Sequence, residues 1–301
     1  MAARWLRSLA AAPLMLGGLL AVSLVPVPPA RALVPYVMVP GPGSLEDAGL
    51  GIAQMAARLL RLGQAEDAAR LAALVVQMIP DDPRGWVLLA EAQLRSSQPR
   101  QAGVALERAR ALDPDNPGIL FAQGALALRD NKPAQAADLI RQGLKLDGRN
   151  AGAYFDLGNA HILMGKTGEA LTAFEKASNL RQDFWEAINN QALVLFEQGK
   201  DGEALKRWRR VLKISPTAAE PMLALAAALN AKNPGNSESV ELAHQALAGE
   251  PNYVLESYQK EQLWGTRLRA ATSALLAQPT LKADVERAQA NAGSNDGDGE
   301  E

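Results

Sequence analysis

Residues 151–184 read AGAYFDLGNAHILMGKTGEALTAFEKASNLRQDF, and this stretch decides the reading of the chain. Tyr154, Leu157, Gly158 and His161 are separated by steps of three, one and three residues, and Ala170, Phe174 and Ala177, at steps of four and three, follow beyond Gly165. Steps of three and four place side chains on one face of a helix, so the stretch encodes two short helices with a break between them. Small residues set against large ones let the two helices lie antiparallel in close contact.

Working outward, the unit repeats every 34 residues without insertion, with starts at Gly49, Pro83, Pro117, Ala151 and Trp185. The small residue of the second helix recurs as Ala68, Ala102, Ala136, Ala170 and Ala204. The residue four later recurs as Ala72, Leu106, Ile140, Phe174 and Trp208. A degenerate sixth unit, 219–253, carries one extra residue in the loop Asn233–Ser237. Local signals mark the same junctions independently of hydrophobicity. Pro80, Pro114 and Pro216 fall where second helices stop, while Asp82, Asn116 and Asn150 offer N-cap acceptors, the first two followed by Pro83 and Pro117 at the first helical position. Gly63, Asn131, Gly165 and Gly199 suit a left-handed residue between paired helices. Asp183-x-x-Glu186 and Thr217-x-x-Glu220 have the layout of capping boxes, which predicts structural roles for both glutamates.

This pattern resembles the tetratricopeptide-repeat family, whose signature is aromatic-x2-Leu-Gly-x2-Tyr followed by Ala-x3-Phe, with His161 here in place of the Tyr and Gln182 in place of the closing Pro. The resemblance covers residues 49–253, in units 49–82, 83–116, 117–150, 151–184, 185–218 and 219–253. It implies an all-α solenoid, a right-handed superhelix of antiparallel helix pairs, whose first helices line a concave groove that receives a peptide or helix of a partner. Chaperone-binding members hold a C-terminal carboxylate with amides and cations at fixed unit positions. Asn159 and Asn190 match the amides, but Phe155, Glu220 and Ala224 stand where cations are needed. The resemblance thus implies a neutral or apolar partner segment rather than a C-terminal carboxylate.

Within each unit, positions 2, 5, 9 and 12 share a helical face distinct from the packing face. With Asn190 they give the groove candidates Phe121, Phe155, Asn159, Ile162, Asn189, Asn190, Leu193 and Phe196. Exposed, they would bury a partner's apolar side chains while the amides bond its backbone. The competing reading is that superhelical curvature packs them against neighbouring helices. Arg61, Arg95 and Arg129 share position 13 and form a ladder that either meets an acidic partner or offsets the helix dipole at solvent.

The flanks carry further expectations. Residues 1–32 have the layout of a cleaved signal peptide, with Arg4 and Arg7, an apolar run Leu9–Val25, Pro26, Pro28 and Pro29, and Ala30-Arg31-Ala32 before Leu33. The rival is an uncleaved membrane anchor, since a spanning helix needs about 20 apolar residues. Residues 33–48, with Pro35, Pro40 and Pro42, suit an extended segment or linker. A short resemblance over LVPYVMVP to exported repeat proteins of cyanobacteria implies a periplasmic or thylakoid-lumen protein assisting assembly of a membrane or photosynthetic complex. After the repeats, 254–278 predicts one capping helix with Trp264, Leu268, Ala271 and Leu275 on its apolar face, and 279–301 a short helix and an acidic tail.

Composition narrows the chemistry. The formal charge of −2 becomes −5 once residues 1–32, with three arginines and no acid, are removed, which disfavours phosphate-driven nucleic-acid binding. With no cysteine there is no disulfide, thiolate metal site or thiol nucleophile. His161 lies on the packing face and His244 alone on a second helix, no phosphate loop or metal spacing occurs, and the tail 295–301 lacks the full calcium-loop spacing. These features predict a non-enzymatic scaffold without cofactor or metal. The alternatives are a membrane-tethered organiser and an accessory subunit of an envelope enzyme.

Overall fold

The computed structural model describes residues 41–293. The signal-peptide reading, most of the extended segment and the acidic tail lie outside the described residues. The described chain is all-helical, in consecutive pairs: α1 Pro42–Arg61 with α2 Ala65–Met78, α3 Pro83–Arg95 with α4 Pro99–Leu112, α5 Pro117–Arg129 with α6 Pro133–Leu146, α7 Ala151–Leu163 with α8 Thr167–Leu180, α9 Trp185–Glu197 with α10 Asp201–Ile214, and α11 Ala219–Lys232 with α12 Ser237–Gly249. A 3-10 turn, Pro251–Val254, leads to α13 Glu256–Glu261 and α14 Thr266–Leu276, and a second, Pro279–Leu281, to α15 Lys282–Asn291. The pairs stack into a solenoid.

Each pair forms where the junction signals stand. Asp82 accepts from Arg84 N at 2.9 Å, Asn116 from Gly118 N at 3.0 Å and Asn150 from Ala153 N at 2.9 Å. Between the paired helices Gly63, Ser97, Asn131, Gly165 and Gly199 take positive φ, the conformation that ends one helix and turns the chain back. Ala68, Ala102, Ala136, Ala170 and Ala204 are fully buried. Gly158 shows how tight the contact is: a Cβ there would sit 2.4 Å from the Phe174 ring. Phe174 and Trp208 are themselves fully buried, a transfer term on the order of 3 kcal/mol each.

Three expectations need correction. α1 starts at Pro42, so residues 42–48 are helical rather than extended; proline is tolerated in a first helical turn, and no further proline interrupts the run to Arg61. The two capping boxes do not form: the residues preceding α9 and α11 are Phe184 and Ala218, and neither helix has a side-chain cap. The single helix predicted within 254–278 is two. It breaks at Leu263, which has φ 64°, and restarts after Gly265. A Cβ on Gly265 would lie 2.2 Å from the Glu197 side chain, and that carboxylate accepts from Leu268 N at 2.8 Å and Arg267 N at 3.1 Å. The N-terminus of α14 is therefore capped by a residue from α9, which the local sequence could not reveal.

Candidate partner-binding site

α14 packs against the first helices α9 and α11, while α15 packs against α12 and the 3-10 turn Pro251–Val254. Leu268 and Leu275 of α14 are fully buried and share an apolar cluster with Leu193, Phe196 and Leu223. Polar contacts fix the position. The Arg267 guanidinium lies 4.0 Å over the Phe196 ring, donates to the Phe196 carbonyl, and pairs with Asp201 at 2.5 and 2.8 Å. Gln278, just beyond α14, donates to Asn230 Oδ1 on α11. The chain's own C-terminal helices thus cover the first-helix face of the last two pairs.

This cover divides the eight groove candidates. Leu193 and Phe196 are buried beneath α14, and Asn189 is fully buried with its Oδ1 accepting from Trp208 Nε1 at 3.0 Å. These three hold the fold and present no surface to a partner. Phe121 lies against α6, where a Cβ on Gly143 would meet its ring at 2.5 Å, and Ile162 packs beside Phe174 and Val194. Both are partly buried in the contacts between helices, as the curvature reading has it. Phe155, Asn159 and Asn190 line an open pocket. Asn190 Nδ2 donates to Asn159 Oδ1 at 3.1 Å, joining units four and five by an amide pair at the pocket wall. Phe155 has a double role, because its ring also packs 5.1 Å from Phe184 and 5.7 Å from Phe174.

The pocket, about 560 Å³, is bounded by α7 and α9 on one side and by the end of α12, the following 3-10 turn and α13 on the other. Its remaining walls include Trp185, Tyr253 and Tyr258, with the carboxylates Glu186, Glu220, Glu250 and Glu261. Glu186 and Glu220, predicted to be capping residues, therefore line it. Tyr253 stacks on Trp264 at 5.4 Å and meets Tyr258 edge-on at 5.0 Å. Trp264 Nε1 donates to Glu220 Oε1 at 2.9 Å. Burial pushes the Glu220 carboxyl above its ordinary range, the neighbouring Trp264, Asn189 and Tyr253 side chains work against that shift, and the nearby Glu186 adds to it. Burial likewise raises the Tyr253 and Tyr258 hydroxyls, with Glu220 and Glu250 adding to both. The open surface is thus aromatic and acidic, and the expected apolar groove is largely occupied by the chain itself.

The other sequence candidates resolve as structural. Arg95 donates to the Leu60 carbonyl at 3.4 Å and Arg129 to the Leu94 carbonyl at 3.3 Å, so these ladder arginines satisfy the last turn of the preceding first helix. His161 is buried with Nε2 3.3 Å from Arg141, and burial, then the Arg141 charge, lower its pKa. His244 Nδ1 stands 2.8 Å from Asp284 Oδ1, a contact that ties α15 to α12. Among the described residues no three or more His, Asp or Glu side chains are placed so that together they could hold a metal ion, and no helix is long and apolar enough to cross a membrane.

Comparison with known proteins gives a consistent picture. Family models described as Tetratricopeptide repeat match residues 59–124, 121–183 and 155–219. No curated protein matches the sequence. Among solved structures, the chain is similar to PilF of Pseudomonas aeruginosa (TM-score 0.62, 18% identity, covering 74% of this chain and 99% of that one). It is also similar to a chain of the Cut9–Hcn1 hetero-tetramer of APC/C (TM-score 0.62, 16% identity, 82% and 44%). A third is YrrB, described as a repeat protein with an unusual peptide-binding site (TM-score 0.51, 18% identity, 64% and 99%). At these identities the likeness is one of fold.

Proposed function

The chain belongs to the tetratricopeptide-repeat family, and from that premise we propose that it is a non-enzymatic scaffold that holds a segment of a partner protein in the pocket beside the Asn159–Asn190 pair. The observation that carries this reading is the division of the concave face. α14 occupies the part over α9 and α11, and the open remainder brings together aromatic rings, amides and carboxylates from three repeat units and α13. A pocket of about 560 Å³ with convergent polar groups and aromatic walls is of the kind that holds side chains of a bound segment. The likeness in fold to YrrB, described as having a peptide-binding site, supports the choice of a peptide as ligand. Export to the periplasm or thylakoid lumen, and a role in assembling a membrane complex, belong to the same proposal. Their support is the layout of residues 1–32 and the segment after it.

Affinity purification with the Trp185→Ala/Asn190→Ala variant tests the site. Partner yield is expected to fall with helix content unchanged. Full yield would show that partners dock elsewhere.

A further inference from the structure

We propose that this pocket receives a cationic side chain, lysine or arginine, of the partner segment; the proposal rests on the partner-binding reading above and specifies its chemistry. Glu186, Glu220, Glu250 and Glu261 line one cavity, and no Lys, Arg or His is among its lining residues. The fold gathers them from far apart: Glu186 from the start of α9, Glu220 from the start of α11, Glu250 from just past α12 and Glu261 from the end of α13. None of the four forms an ion pair among the described residues, although other acids of the chain pair readily, as Asp201 does with Arg267 and Glu238 with Arg209. The groups that meet the Glu220 carboxyl are neutral, Trp264 Nε1 at 2.9 Å and the side chains of Asn189 and Tyr253, and Glu250 accepts from the backbone of Asn252.

Two independent features point to a cation rather than to a solvated acidic face. The carboxylates share the cavity with the rings of Phe155, Trp185, Tyr253 and Tyr258, and aromatic faces attract an ammonium or guanidinium. Behind Glu220, Asn189 is fully buried, its Nδ2 makes no well-formed hydrogen bond, and its side chain faces the Glu220 carboxyl. Ionisation of Glu220 would strengthen its acceptance from this amide. Burial and the neighbouring Glu186 oppose that ionisation, and a cation entering between the carboxylates offsets both. A neutral or acidic side chain offers no such compensation and would leave the carboxylates desolvated and unpaired.

Binding to the full chain is measured with a blocked alanine peptide carrying lysine and arginine and with the same peptide bearing glutamine in their place. The cationic peptide is expected to bind about tenfold or more tightly, weakening as salt rises. Glu186→Gln with Glu261→Gln is expected to remove most of that difference, whereas Glu66→Gln with Asp67→Asn on α2, an equal charge change far from the pocket, leaves it intact. Equal binding of the two peptides, or an equal loss in the α2 variant, would overturn the cation assignment. A photo-crosslinker at Trp185 separates this from failure of the site itself. Capture of a neutral or acidic partner segment there overturns the cation alone, and absence of any capture removes the site and the cation together.

Discussion

The guanidinium of Arg267 lies 4.0 Å above the ring of Phe196 while its NH2 nitrogen stands 2.8 Å from Asp201 Oδ2, so one side chain of α14 locks the last helices onto α9 and its turn. The ion pair is partly exposed, with side-chain accessibilities of 39% and 46%, and is screened accordingly. Adding the contact with the ring, Arg267→Ala is expected to destabilise the fold by about 1–2 kcal/mol. The hydrogen bond from Arg267 holds the Asp201 carboxyl below its ordinary value of 3.8. A lowered acid contributes stability above the unfolded value that is lost as pH falls through the folded one. Melting curves should therefore show the variant's deficit in full at neutral pH and reduced in acid below that value.

Asn189 and Asn159 look alike in the sequence and differ in consequence. Asn189→Ala strands the Trp208 indole N–H in a site with no exposure, and about 1–3 kcal/mol of stability should be lost. Asn159→Ala frees Asn190 Nδ2 at a partly exposed wall where water replaces the lost acceptor, and stability should change by no more than about 0.5 kcal/mol. Urea denaturation of both variants checks the contrast. Equal losses would contradict the division into a structural and a surface amide.

Asp156 on α7 is partly buried, its side chain makes no ion pair or hydrogen bond among the described residues, and burial pushes its carboxyl up to about 6 from 3.8. The sign is opposite to that of Asp201. The folded state holds the proton more tightly than the unfolded one, so ionisation above the folded value costs stability, and that cost is relieved as pH falls through about 6 towards 3.8. Asp156→Asn is expected to raise stability near neutrality, on the order of 1 kcal/mol after allowing for partial exposure. The wild type's gain on acidification from about pH 7 to about pH 5 should shrink in the variant.

Much of the fold was legible because each junction is signalled several times over. The cap acceptors Asp82, Asn116 and Asn150, the left-handed positions such as Gly165, and the buried alanines each give the same register. The site was less legible, because face periodicity says which residues share a side of a helix and not what covers that side. Nothing near Leu193 or Phe196 announces that α14, some seventy residues later, lies on them. Glu186 and Glu220 were hidden by a local motif: each follows a possible cap residue by three positions, yet each cap is left unmade. The run of Trp264, Leu268 and Leu275 did reveal an apolar helix face seeking cover. The break at Leu263 was masked because Gly265 is needed for the close approach of Glu197, a residue distant in sequence.

The central claim is that the concave face is open beside Trp185 and closed over Leu193, two residues on the same helix. A photo-crosslinking amino acid placed at each position in turn, in cells of the native host, reads this directly. At Trp185 the expected product is an adduct with a partner protein; at Leu193 it is an internal crosslink to α14 and no partner adduct. Partner adducts at Leu193 equal to those at Trp185 would show that the C-terminal helices leave the groove open, and would contradict the division of the groove on which the proposed function rests.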